Sequence, residues 1–131
     1  MSKENVEIVR RIYDAYVSGD FETAFSFIDP DVTFDVSIRP EGKVYRGHEG
    51  VAEALRTWTG TWEAFRMELE ELIDAGDHVI GIEHQSGRGR GSGLPLAQMY
   101  FSVFTLGDGK VTRIAWFQTR AQALEAAGLS E

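Results

Sequence analysis

From Glu4 to Ser18 the apolar residues Ile8, Val9, Ile12, Tyr13 and Tyr16 recur three and four positions apart, so they share one stripe of a helix. Gly19 ends that helix and Asp20 can cap the next, which carries Phe21, Ala24, Phe25 and Ile28. The second helix is predicted to stop at Asp29-Pro30, because proline disfavours helix at the residue before it. Residues 32–38 alternate instead. Val32, Phe34, Val36 and Ile38 fall on one side and Thr33, Asp35 and Ser37 on the other, the pattern of a half-buried strand. A loop over Pro40 to Gly47 leads into a third helix, from His48 to about Trp58, with Val51, Leu55 and Trp58 on one face.

From Met67 onward the period becomes two. Turns at Ala75-Gly76-Asp77, in the glycine-rich segment 87–93, and at Gly107-Asp108-Gly109 divide this half into four antiparallel strands, roughly 64–74, 78–87, 95–106 and 110–118. Thr119-Arg120-Ala121-Gln122 fits a capping box, which predicts a last helix over 120–127, stopped by Gly128. The longest strand has Met99, Phe101 and Val103 on one face and Tyr100 and Phe104 on the other. The next has Ile114, Trp116 and Gln118 opposite Ala115 and Phe117. A sheet with apolar groups on both faces is covered on both. Helices and a cavity can cover one side, and a second copy of the chain the other, so a homodimer through the sheet is predicted. The element order builds an α+β fold: a curved, mostly antiparallel sheet forming a cone, with the N-terminal helices packed on its concave face. Alternation alone leaves open which strand face lines the cavity.

The 131 residues make a single domain spanning 1–131. No apolar run approaches the ~20 residues that cross a bilayer, so no membrane partner is expected. The first residues turn polar at once, without the apolar core of a signal peptide, and a cytoplasmic location is expected. The chain has no cysteine, which excludes disulfides and thiolate-bound zinc. A net charge of −8 argues against nucleic acid, which needs a basic footprint.

Three histidines, His48, His78 and His84, are scattered without ligand-like spacing, so no metal site is predicted. His84 shares its parity with Ile80 and Ile82, which makes it the best of the three for a pocket. The segment Gly87 to Gly93, with Arg88 and Arg90, lacks the Gly-Lys-Ser/Thr ending of a phosphate loop and reads as a flexible hairpin. Glu68, Glu70, Glu71 and Asp74 read as the solvated edge of a strand.

Several segments, in this order, carry a family likeness: Glu4 to Val9, Ser18-Gly19-Asp20-Phe21, Asp29 to Phe34, Tyr45 to Val51, Gly107 to Val111, and the ending Arg120 to Leu129. Over its whole length the chain resembles the nuclear-transport-factor-2-like superfamily, and within it the SnoaL-like and ketosteroid-isomerase-like proteins. The resemblance implies a cystatin-like α+β barrel. Ketosteroid isomerases use an aspartate base beside a tyrosine and a protonated aspartic acid. Asp35 falls on the base, Ile12 on the tyrosine and Ser102 on the acid. Tyr16, one helical turn from Ile12, can project into the same cavity. The acid/base aspartate of SnoaL-type cyclases falls on Thr119.

The resemblance thus implies a small-molecule pocket protein without a cofactor. It would be an isomerase, cyclase or hydrolase acting by proton transfer on an apolar carbonyl or polyketide-like ligand. Asp35 is the expected general base, with a raised pKa, and Tyr16, Tyr100 or Ser102 are the expected donors. Ile12, Leu55, Trp58, Tyr100, Trp116, Gln118 and His84 are expected to line the pocket. The other reading is a non-catalytic dimeric module that binds a ligand or partner. What separates the two is whether a second polar group converges on the carboxylate inside the cavity.

Overall fold

The computed structural model describes residues 2–38 and 42–129. Helix α1 (Lys3–Ser18) is capped by the Ser2 hydroxyl, which accepts from the Asn5 amide, and it ends on Gly19 at φ +83°. Helix α2 (Phe21–Ser26) starts on the Asp20 carboxylate, which accepts from the Thr23 amide. It is one turn shorter than its periodicity suggests, because the chain enters strand β1 (Ile28–Asp35) before reaching proline. Pro30 lies inside β1, where the pairing with the last strand is irregular between Ile28 and Thr33; a residue without an N–H is tolerated there.

A three-residue strand β2 (Val44–Arg46) occupies the end of the expected loop; Pro40 lies outside the described residues. Helix α3 (Gly47–Gly60) follows. Four long strands come next: β3 (Trp62–Ala75), β4 (His78–Gly89), β5 (Pro95–Gly107) and β6 (Lys110–Phe117). Helix α4 (Arg120–Ala126) closes the chain, and its Thr119/Gln122 capping box is formed in both directions.

The six strands form one sheet in the order β2-β1-β6-β5-β4-β3. Among the described residues only β1 and β6 run parallel; the other neighbours are antiparallel. Bulges in β3 between Glu63 and Arg66 and between Leu69 and Glu71 bend the sheet, with Ala64 at φ +53° in the first. The result is a curved, unclosed sheet whose concave face is roofed by α1, α2 and α3. The edge strand β3 exposes Glu68, Glu70 and Glu71.

Two apolar clusters divide along the two faces. The larger contains Ile8, Val9 and Ile12 of α1, Val51 and Ala54 of α3, and Val32, Phe34, Phe104 and Trp116 of the sheet. The smaller lies on the convex face, where Ala123, Leu124 and Ala127 at the C-terminal end pack over Ile80, Ile82 and Val103. Part of the face expected to await a second chain is therefore covered by α4.

Candidate functional site

The registers fix which side chains look inward. Glu83 of β4 sits opposite Leu69 and Tyr100, Gln85 opposite Met67, and Gly81 opposite Ser102, which is itself opposite Trp116. These residues share the concave face with Phe34 of β1. Beneath the helices Phe34, Met67, Glu83, Gln85, Ser102 and Trp116 of this face line a cavity of about 90 Å³ that opens at a mouth.

Most of its wall is apolar and aromatic. The Phe34 and Trp116 rings meet edge to face at 5.4 Å, and Trp58 and Trp116 at 6.1 Å. One patch is polar: Tyr13, Glu83, Gln85 and Ser102. Glu83, Gln85 and Ser102 are 2 %, 1 % and 2 % exposed.

The hydrogen bonds in this patch have a direction. The Trp58 indole N–H donates to Gln85 Oε1 at 2.7 Å. An indole nitrogen can only donate, so it fixes the orientation of the Gln85 amide. Gln85 Nε2 therefore donates to Glu83 Oε1 at 2.7 Å, while the Tyr13 hydroxyl donates to Glu83 Oε2 at 2.6 Å. Each carboxylate oxygen receives one neutral donor, from a different element.

No Lys, Arg or His among the described residues lines the cavity. Burial therefore dominates the titration and moves the Glu83 carboxyl up to about 7, against the opposing effect of the Tyr13 and Gln85 hydrogen bonds. Burial also pushes the Tyr13 hydroxyl well above its ordinary range. The Glu83 charge and hydrogen bond add to that rise, and Ser102 opposes it as a donor. Tyr16 is raised by burial and then by the same Glu83 charge.

Tyr13 reaches Glu83 because β4 has no side chain beneath it. A Cβ built on Gly81 would overlap the Tyr13 hydroxyl and lie 2.9 Å from Cε2 and Cζ of its ring. Phe104 holds the ring from another side, edge to face at 5.6 Å.

Among the expected site residues, Ile12, Tyr16, Leu55, Trp58, Ser102 and Trp116 line the cavity. Tyr100 is buried behind this lining, its ring 5.9 Å from Trp58 and 6.3 Å from Trp116. The other three lie elsewhere. His84 shares the parity of Ile80 and Ile82, and that parity faces the convex side, where α4 packs. Gln118 lies beyond the end of β6 and is exposed, its backbone N–H donating to Gln122 Oε1.

Asp35 also lies outside the cavity. Val32, Phe34 and Val36 take the inward side of β1, which sends Asp35 to the opposite face at the sheet's rim. There it accepts from the Ser37 amide at 2.9 Å, from the Ser37 hydroxyl, and from Arg113 Nη2 at 2.7 Å. Burial alone would raise its pKa, but the Ser37 and Arg113 contacts together outweigh it and hold the carboxyl below the usual range. The expectation of a raised pKa inside the cavity is thus corrected in both place and sign. Arg113 is half exposed, so the pair contributes little. Asp35→Asn is expected to cost less than about 1 kcal/mol in urea unfolding and to leave ligand binding in the cavity unchanged.

Among the described residues no three His, Asp or Glu side chains converge as metal ligands. No described helix is long and apolar enough to cross a membrane.

Residues 9–114 match the family model of the SnoaL-like domain, and the chain belongs to that family. Solved structures share its fold. An NTF2-like protein from Burkholderia thailandensis is 26% identical, with a TM-score of 0.77 over 92% of this chain and 96% of that one. A candidate SnoaL-like polyketide cyclase from Jannaschia is 21% identical, with a TM-score of 0.76 over 97% and 94%. The protein TerC, co-crystallised with polyporic acid, is 22% identical, with a TM-score of 0.75 over 96% and 99%. No curated protein matches the chain.

Proposed function

We propose that the cavity binds a small, largely apolar carbonyl compound and that Glu83, rather than Asp35, exchanges a proton with it. The observation that carries this is a buried carboxylate, moved up to about 7, at the floor of an otherwise apolar cavity and met by donors on both oxygens. A general base works best with its pKa near the operating pH. SnoaL-like family membership, a neighbour that is a candidate polyketide cyclase and another crystallised with polyporic acid support an organic small-molecule ligand.

In the proposed step, ionised Glu83 takes a proton from the carbon beside the carbonyl. The C–H bond breaks, an O–H bond forms on the carboxylate, and the electron pair moves onto the carbonyl oxygen. Protonated at Oε2, Glu83 donates to the Tyr13 oxygen, and the Tyr13 proton turns toward Ser102 or the ligand. Ser102 and Tyr16 are the proposed donors to the developing enolate, the kind of contact whose removal typically costs about 3–4 kcal/mol. Return of the proton to another carbon completes an isomerisation. The converging donors favour this over a binding module with a lone carboxylate.

The test uses 2-tetralone in deuterated buffer. The protein is expected to accelerate deuterium uptake at the α-carbon, with a rate that rises with pH to a plateau above about 7. Glu83→Gln should lose that acceleration by about 10²–10⁴-fold while keeping its circular dichroism spectrum. Exchange by the variant at the wild-type rate would refute the assignment.

We further propose a cytoplasmic homodimer joined through the convex face. Ile73, Met99, Phe101 and Phe117 remain only partly buried there around α4, which supports a partner on that face. Sedimentation at micromolar concentration should give twice the 14.6 kDa chain mass; a monomer would contradict it.

A further inference from the structure

The floor of the cavity is electrically unbalanced. Glu83 is 2 % exposed, yet its two hydrogen-bond partners, Tyr13 and Gln85, are neutral. The titratable groups facing it are Tyr13 and Tyr16, both on α1 and both pushed up, so neither carries charge near neutrality. From α3 the cavity receives Trp58, and from the sheet Gln85, Ser102, Met67 and aromatic rings. Among the described lining residues there is no cation and no second carboxylate.

We infer that the ionised cavity is a receptor for a hydrophobic organic cation, a tertiary or quaternary ammonium, with Glu83 as its counter-ion and Tyr16, Trp58 and Trp116 as its aromatic walls.

Three observations point this way. A buried carboxylate without a cationic partner is destabilised, and a cation entering the cavity removes that penalty where a neutral ligand does not. Each Glu83 oxygen accepts one bond from the protein, which leaves lone pairs and the formal charge for an occupant of the cavity. The walls are rings, whose faces attract cations, most strongly when water is excluded. Tyr16, Trp58 and Trp116 line the same cavity as Glu83, so an ammonium beside the carboxylate is enclosed with these rings.

The sign of the proton linkage follows. Below the Glu83 midpoint the carboxyl is protonated, and a cation must displace that proton to bind. Affinity then rises about tenfold per pH unit and levels off once Glu83 is ionised. A neutral ligand of the same shape shows no such rise.

The test is calorimetry of the full chain with benzyltrimethylammonium and its neutral isostere neopentylbenzene, from pH 5 to 8.5. At pH 8.5 the cation is expected to bind at least tenfold tighter than the isostere. Its affinity should rise nearly tenfold between pH 5 and 6, with proton release detected in buffers of different ionisation enthalpy. In Glu83→Gln the cation should bind weakly and independently of pH. Equal affinity for the two compounds, an affinity independent of pH in the wild type, or binding of neither would overturn the inference. Should Glu83→Gln fail to fold, the wild-type pH series decides alone. A protein that shows no cation preference and still exchanges the tetralone proton retains the proposed function and loses only the cation site.

Discussion

Raising the pH from about 4.5 to about 7 is expected to destabilise the wild-type protein, and Glu83→Gln is expected to abolish that loss. The native Glu83 carboxyl titrates at about 7, against an ordinary value of 4.5. Between these values the folded state holds a proton that the unfolded state has released, so stability falls as pH rises across the window. The full difference is roughly 3 kcal/mol once Glu83 is ionised in both states. Asp35 acts in the opposite sense: its pKa is lowered in the fold, so its contribution is lost as pH falls through the acidic carboxylate range. Stability should therefore peak in mildly acidic solution.

Glutamine at position 83 can accept from Gln85 and donate to the Tyr13 oxygen, reproducing the contacts of the protonated acid. The variant should match the wild type near pH 4.5 and exceed it by about 3 kcal/mol at pH 8, measured by urea unfolding. Equal stabilities at pH 8 would mean that the carboxylate is solvated or neutralised.

The second large effect is expected at Gly81. A methyl group there occupies the seat of the Tyr13 phenol, and the ring cannot retreat because Phe104 stands edge to face beside it. Gly81→Ala is expected to cost about 1–3 kcal/mol, the usual penalty for overfilling a packed core. It should also detach Tyr13 from Glu83, removing one of the two donors that hold the carboxyl down and raising its midpoint further. A variant as stable as the wild type, with an unchanged midpoint, would show that the phenol does not rest on Gly81.

The architecture was legible in the sequence because most of its elements satisfy local rules that agree with the whole. The helical stripe of α1, the turns at Gly76 and Gly109, and the Thr119 capping box all lie where the residues place them. Strand β2 was not legible, since three residues are too few to show a period. The start of β1 was hidden by Asp29-Pro30, a pair that resembles a helix stop but sits in an irregular stretch of strand.

The site was harder to find for one physical reason. In β4 the apolar parity Ile80 and Ile82 suggests the inward face, and His84 goes with it. Helix α4 covers that parity on the convex side, and the cavity takes the other one, Gly81, Glu83 and Gln85. With both faces of a sheet covered, alternation says that a strand is present but not which side holds the chemistry. On β1, where the outer side is polar, the apolar parity did face inward, and Asp35 accordingly went out. One signal for Glu83 was available: a glycine two residues before a glutamate, on a strand able to face the tyrosine-bearing helix.

The most direct measurement is the titration of the Glu83 side-chain carboxyl by carbon-13 NMR, with the resonance assigned by its loss in Glu83→Gln. A midpoint close to 7 is expected, accompanied by a shift at Tyr13 as the carboxylate forms. A midpoint near the ordinary 4.5 would show a hydrated carboxylate, and the cavity would then have neither its base nor its counter-ion.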